Sequence, residues 1–433
     1  MRETIPARAS HRVGVVDSTV GSGPESSSVL GQVRNAVWAW LVRYWVPLTI
    51  FAASRVVDTI FLAVAAEHQV AMPTTRPDYY VYEPTPQAPG YLGIVSNWDA
   101  QWYRRIATDG YQVPTPKATP ADAHDTLWTW AFPPAYPLMV RAVMLLTSLP
   151  FTAAATVVSC VVGAGAMVLM YRLVLRSGGA FLAAVTVLFS CFFVSAPLLQ
   201  IGYSESLALL FLMAALNLVV DRHYFGSSAA VLALSMTRLV TLPFVVVVLV
   251  HAYLRYRSEG PFWKTRRSGA AALALLGAVS IFGLFSWMLL ASLFIGTQAG
   301  MARSAGQRSL HLGWFEDTLH LFGVVGLALL VLFVFMLVVG MLLPSAKAWA
   351  PELRAWSVAY PVFIFAMTPM LPAVMRYMLL APTLPVLLAG TPRRASRLNV
   401  LWVGVVLLLL IAAQRWYAAN IIVVWTEGLR PAP

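Results

Sequence analysis

Charge is scarce in this chain. Only 11% of its 433 residues are Asp, Glu, Lys or Arg, against about a quarter in a soluble domain. With 59% hydrophobic residues and a mean hydropathy of +0.72, that excludes a solvated globular protein and points to an integral membrane protein. Lysine occurs only at Lys117, Lys264 and Lys347; nearly all positive charge is arginine, a hint of a GC-rich bacterial genome. The formal net charge of +12 is spread over short loops, which reads as positive-inside material and not as a nucleic-acid patch. The two cysteines, Cys160 and Cys191, fall in apolar runs, so neither a disulfide nor Cys/His zinc spacing is expected. The histidines are scattered, and no metal or other cofactor is called for. No G-x-G-x-x-G follows a strand and no P-loop is present, so no nucleotide-binding domain is expected. No internal repeat is evident.

What the chain has in abundance is apolar runs. They predict an all-α polytopic membrane protein with about ten to twelve membrane segments, each full span needing about 20 residues. Residues 1–43 read as a disordered cytoplasmic tail carrying Arg2, Arg8, Arg12, Arg34 and Arg43; no cleavable signal peptide is visible. Residues 44–420 form the transmembrane domain, and 421–433 a short external tail. Spans are expected near 44–66, 152–171, 180–197, 204–221, 269–295, 319–343, 353–370, 376–390 and 398–418. Residues 138–149 are too short to cross and read as a half-span. Residues 222–257 have arginines at both ends and read as a hairpin of two short helices with its tip at Thr237-Arg238. Residues 67–133 form a long first loop rich in Pro, Tyr and carboxylates, which places it outside.

That loop holds Asn97-Trp98-Asp99-Ala100-Gln101-Trp102-Tyr103-Arg104-Arg105-Ile106-Ala107-Thr108-Asp109-Gly110-Tyr111. Asn97 suits an N-cap and Gly110 a C-terminal stop. Trp98, Trp102 and Ile106 recur at i, i+4, i+8 and make one apolar stripe, with Gln101, Arg104, Arg105 and Thr108 facing elsewhere. Such a helix lies on a membrane surface or packs on other helices. Asp99, in its first turn, is the first candidate base; it also suits the dipole of its own helix. Asp58 is the second candidate. It stands at i+3 from Arg55 in the first span, either as a neutralising pair that locks the helix or as part of a site.

Further charges map to the same external mouth. Glu205, in Tyr203-Ser204-Glu205-Ser206, opens an apolar helix, where Ser204 would also serve as a cap. Arg238 is a lone arginine deep in the bundle, for which an anionic phosphate is the natural partner. Arg376-Tyr377 opens a span after an external turn; the arginine either snorkels to the surface or binds phosphate. The external loop 296–318 contains Gln298, Arg303, Gln307, Arg308, His311 and Trp314, a sugar-contact surface or a solvated loop.

The run Trp-Asp-x-x-Trp-Tyr-x-x-Ile-Ala-x-x-Gly-Tyr from Trp98 to Tyr111 resembles the first-loop signature of the PIG-V family, multi-pass GT-C glycosyltransferases related to GPI mannosyltransferase 2. Phe132-Pro133-Pro134-Ala135-Tyr136-Pro137 is similar to that family's Phe-Phe-Pro-Leu-Tyr-Pro, with Pro133 and Ala135 as departures. The likeness is weaker at 200–206 and at Thr237-Arg238, where Leu239 and Val240 depart. The resemblance implies an inverting, metal-independent α-mannosyltransferase that uses a polyprenyl-phosphate-mannose donor. It implies Asp99 as general base or acceptor orienter, Arg238 and Arg376 on the donor phosphate, and Glu205 on sugar hydroxyls. Trp98, Trp102, Tyr103, Gln298 and Tyr377 complete the expected substrate contacts. The partners expected are the donor, a lipid-linked acceptor (an envelope glycolipid or lipoglycan) and membrane lipids. The place expected is a bacterial plasma membrane, with the N-terminus cytoplasmic and the site external. A lipid transporter or flippase is the competing class, disfavoured by the long acidic loop and the lack of an inverted repeat. A non-catalytic assembly protein and a protein O-mannosyltransferase stay open.

Overall fold

In the computed structural model, the residues described are 29–73, 81–115, 120–265, 267–296, 313–369 and 373–423. Among them the fold is all-α, with one isolated β-bridge, Met72 to Thr85. Among the described residues, five helices are long and apolar enough to cross a membrane: Arg34–Glu67, Phe151–Cys191, Arg267–Ile295, Phe322–Leu342 and Arg397–Ile422. The chain divides into two units, Met1–Trp45 and Val46–Pro433.

In the first unit, the described residues are helical from Val29. Residues 29–43, expected in a disordered tail, therefore carry helix, because Leu30, Gln32, Arg34, Ala36 and Leu41 are good helix formers. Helix α1 (Val29–Glu67) has non-helical angles at Tyr44 (φ −117°, ψ 20°), within the turn whose ladder Pro47 interrupts.

In the second unit, α1 turns Val56, Ile60 and Val64 outward and buries Ser54, Arg55 and Asp58. Apolar outside and charged inside is the pattern of a helix facing lipid on one side and a bundle on the other. The external loop folds into α2 (Gly90–Ile94), α3 (Asp99–Asp109) and α4 (Pro120–Trp128), followed by the short apolar α5 (Ala135–Thr147). Helix α6 (Phe151–Cys191) is two helices joined at Gly179, whose φ of +81° suits glycine. Helix α7 (Glu205–Val220) packs between α6 and α8 (Tyr224–Ser235), and α8 packs on α11 (Arg267–Ile295). Between α8 and α9 (Phe244–Glu259) lies the turn that holds Thr237 and Arg238, as the hairpin reading expects. The four-residue α10 (Phe262–Thr265) leads into α11. Helix α12 (Trp314–Leu342) breaks at Gly323, and α13 (Pro351–Met367) follows.

The expected span 376–390 is absent. In its place stand α14 (Ala373–Tyr377), a 3-10 turn (Met378–Leu380) and α15 (Leu384–Leu388). Pro382 holds Ala381 out of helical angles (φ −109°, ψ 66°), and Pro385 stands in the first turn of α15, where its missing donor costs no ladder bond. Three carbonyls of this broken stretch accept from side chains elsewhere in the chain. Ser195 Oγ donates to Met375 O at 2.7 Å, the Tyr360 hydroxyl to Tyr377 O at 2.8 Å, and Trp356 Nε1 to Leu380 O at 2.6 Å. Irregular backbone at this depth is tolerated because it is buried in protein. The last helix, α16 (Arg397–Tyr417), runs into a π-turn (Ala418–Ile422). Two other expected spans are also short, α7 and α13 at 16 and 17 residues. The expected spans 152–171 and 180–197 lie in the one helix α6, and with these short helices five of spanning length remain among the described residues.

Candidate active site

Helix α3 brings Asp99 to the site. Its start is set by Trp98, whose φ of +55° is uncommon for a bulky residue. Trp98 is held there by its indole Nε1, which donates to Ile422 O at 2.9 Å. Asn97 does not cap the helix. Its side chain donates to Gln69 Oε1 at 2.7 Å and to Ile422 O at 3.3 Å, so a tertiary bond has displaced the local cap. Ile421, Ile422 and Val423, expected in the tail, are buried at this contact. Gly110 ends the helix as expected, with φ +77° and its N–H on Ile106 O. Trp102 and Ile106 are buried. Gln101, expected to face away, is buried too, because its Oε1 accepts the Tyr82 and Glu83 N–H groups and pins the loop.

Three other elements converge on Asp99. Arg376, on α14, donates from Nη1 to Asp99 Oδ2 at 2.6 Å, and its Nε lies 3.1 Å from Glu205 Oε1. Arg238, from the α8–α9 turn, donates to that same Glu205 oxygen. Glu205 is 1% exposed and shared by both guanidiniums, whereas the Asp99 side chain is 32% exposed. The Tyr377 ring lies 5.2 Å from each guanidinium. Two buried arginines close together are tolerable only because these carboxylates neutralise them.

Tyrosines line the back of this cluster. Tyr103, one turn along from Asp99, shares a 2.9 Å hydrogen bond with Ser204 Oγ. Ser204 stands at the N-cap of α7, yet its hydroxyl makes no capping bond, so the cap reading gives way to this tertiary contact. Burial pushes the Tyr103 hydroxyl well above its ordinary pKa, with Arg238 opposing, so it stays neutral. Burial does the same at Tyr111, whose hydroxyl donates to Phe132 O at 2.6 Å. Tyr203 lies with its ring 5.3 Å from the Arg376 guanidinium. It was missed as a site residue, although it stands in the Tyr-Ser-Glu-Ser run that flags Glu205.

Of the residues singled out in the sequence, Asp99, Tyr103, Glu205, Arg238, Arg376 and Tyr377 come together. Trp98 and Trp102 support α3 from its buried side; Trp102 stacks on Phe132 with centroids 6.5 Å apart. Asp58 is elsewhere. It is fully buried, 2.8 Å from Arg55 Nη2, while Arg55 also donates to Ala196 O at 3.0 Å and Cys191 O at 3.3 Å. Gln298 lies outside the described residues, as does loop 297–312. Trp314 is described and donates to Thr368 O. Among the described residues, no group of three or more His, Cys, Asp or Glu converges as a metal site.

No protein-family model matches the chain, and no curated protein matches it. Among solved structures, it is similar to ArnT from Cupriavidus metallidurans bound to undecaprenyl phosphate, with 16% identity, a TM-score of 0.44, and coverage of 79% of this chain and 59% of that one. It is also similar to the oligosaccharyltransferase of Archaeoglobus fulgidus tethered to an acceptor peptide, with 11% identity, a TM-score of 0.45, and coverage of 88% and 56%. The chain thus spans less than three-fifths of the length of either structure.

Proposed function

We propose that this chain is a membrane glycosyltransferase of the GT-C type, PIG-V-like, which transfers mannose from a polyprenyl-phosphate carrier to an envelope glycolipid or lipoglycan. The observation that carries the reading is the pairing of Asp99 with Arg376, and of Arg376 and Arg238 with one Glu205 oxygen, across distant parts of the chain, at the motif that resembles the family's signature. Carboxylate and guanidinium together are what transfer from a phosphate leaving group needs. Asp99 takes the proton of an acceptor hydroxyl. The acceptor oxygen forms its bond to the anomeric carbon from the face opposite the phosphate, giving inversion. The bond from that carbon to the phosphate oxygen breaks, its electron pair stays on oxygen, and Arg238 and Arg376 stabilise the charge. No residue is asked to bind a metal. Glu205, buried between the arginines, holds them in place; it is not in a position to meet sugar hydroxyls. Asp58 is assigned to structure. The site opens to the external face of a bacterial plasma membrane.

The test is transfer of radiolabelled mannose from polyprenyl-phosphate-mannose to membrane lipids by the purified chain in vesicles, with polyprenyl-phosphate-glucose and -arabinose as competing donors. Label from mannose alone is expected. Label from another donor alone replaces the sugar, and label from none removes the reading in favour of a transporter.

A further inference from the structure

We propose that Arg376 exchanges Asp99 for the donor's phosphate, so that the base is masked until the donor is seated. The inference rests on the glycosyltransferase reading above and adds an order of events to it. In this structure the Asp99 carboxylate is engaged: its Oδ2 accepts from Arg376 Nη1 at 2.6 Å. That oxygen is not free to take a proton, and while the pair holds, the carboxylate is kept turned to Arg376 and cannot swing its other oxygen to an acceptor. Asp99, Glu205, Arg238 and Arg376 carry formal charges that sum to zero. A phosphodiester entering between the arginines adds one negative charge, and one carboxylate must give way.

Burial decides which. Glu205 is 1% exposed and anchors both arginines. Releasing it would leave a charge buried without a partner, at a cost of about 3–5 kcal/mol. The Asp99 side chain is 32% exposed, so water can solvate it once released. The guanidinium fork fits a phosphate's oxygens as well as it fits a carboxylate's, so Arg376 loses little in the exchange. Arg376 stays in place meanwhile, held by Glu205 at 3.1 Å and by the Tyr203 and Tyr377 rings at 5.3 and 5.2 Å.

The donor phosphate pairs with Arg238 and Arg376, and Asp99 swings free. Asp99 takes the acceptor proton, the acceptor oxygen bonds to the anomeric carbon, and the phosphate leaves with the electron pair. Polyprenyl phosphate departs, Asp99 loses its proton to water, and the Asp99–Arg376 pair closes again. Donor therefore binds before acceptor.

The experiment uses the full chain in lipid nanodiscs. Carbodiimide labelling of carboxylates is read by mass spectrometry without addition, with farnesyl phosphate, and with inorganic phosphate. Farnesyl phosphate is expected to raise labelling of Asp99 by about fivefold or more, the lower end of ordinary coupling between linked groups, while Glu205 stays unlabelled. A rise with inorganic phosphate as well assigns the exchange to the phosphate group alone; a rise with farnesyl phosphate only assigns it to a lipid-borne phosphate. A second measurement is farnesyl phosphate affinity. Asp99→Asn should bind more tightly than wild type, and Asp109→Asn, at the exposed end of α3, should not. Unchanged or lowered labelling of Asp99, or equal or weaker binding by Asp99→Asn, overturns the proposal. A chain that shows the rise yet transfers no sugar refutes the function and leaves the exchange standing. A chain that transfers mannose without the rise does the reverse.

Discussion

Among single residues, Glu205 carries the arrangement. Both arginines lean on one of its oxygens, and the other, Oε2, is buried without a hydrogen-bond partner. Glu205→Gln keeps the shape and removes the charge. It should destabilise the protein by about 3–5 kcal/mol, the cost of breaking a buried ion pair, and abolish transfer; thermal unfolding of the purified variant checks the first and a transfer assay the second. Asp58→Asn should behave differently. Arg55 would keep its bonds to Ala196 O and Cys191 O, so stability should fall while transfer persists in the folded fraction. Equal loss of transfer per folded molecule in Asp58→Asn and Asp99→Asn would speak against this division of roles. The candidates were legible in the sequence because a charge in an apolar chain stands out. Their pairing was not, because Arg376 and Asp99 are 277 positions apart and no local pattern encodes such a contact.

For the helices and turns, the 200–204 turn is the joint that sets Glu205 against α3. Gly202 N–H donates to Val95 O at 3.1 Å, and a Cβ at Gly202 would meet Val95 O at 2.7 Å and the Ala100 Cβ at 3.0 Å. Gly202→Ala should push α3 away, costing about 1–3 kcal/mol by overpacking and lowering transfer more than stability alone explains; activity per folded molecule reads this. The long apolar helices were legible because hydropathy is a local property. The Pro-broken segment 373–388 was not, because its backbone is satisfied by Ser195, Tyr360 and Trp356 from elsewhere in the chain. Asn97 and Ser204 failed as caps for a related reason: each has a tertiary partner that outcompetes the local one.

For the whole molecule, the proposed topology sets the α3 loop outside and the turn at Arg393-Arg394 in the cytoplasm. Single cysteines in place of Val113 and Ser396, both exposed, test it in intact cells: a membrane-impermeant maleimide should label the first and spare the second. The reverse pattern would place the site in the cytoplasm. The central claim is that the chain moves a sugar from a lipid phosphate with Asp99 as base. It is tested most directly by transfer of radiolabelled mannose from polyprenyl-phosphate-mannose in membranes holding equal amounts of wild type, Asp99→Asn or Asp58→Asn. The account predicts a loss of about 100-fold or more for Asp99→Asn, the scale of a general base, with transfer retained by Asp58→Asn. Transfer retained by Asp99→Asn and lost with Asp58→Asn would contradict it.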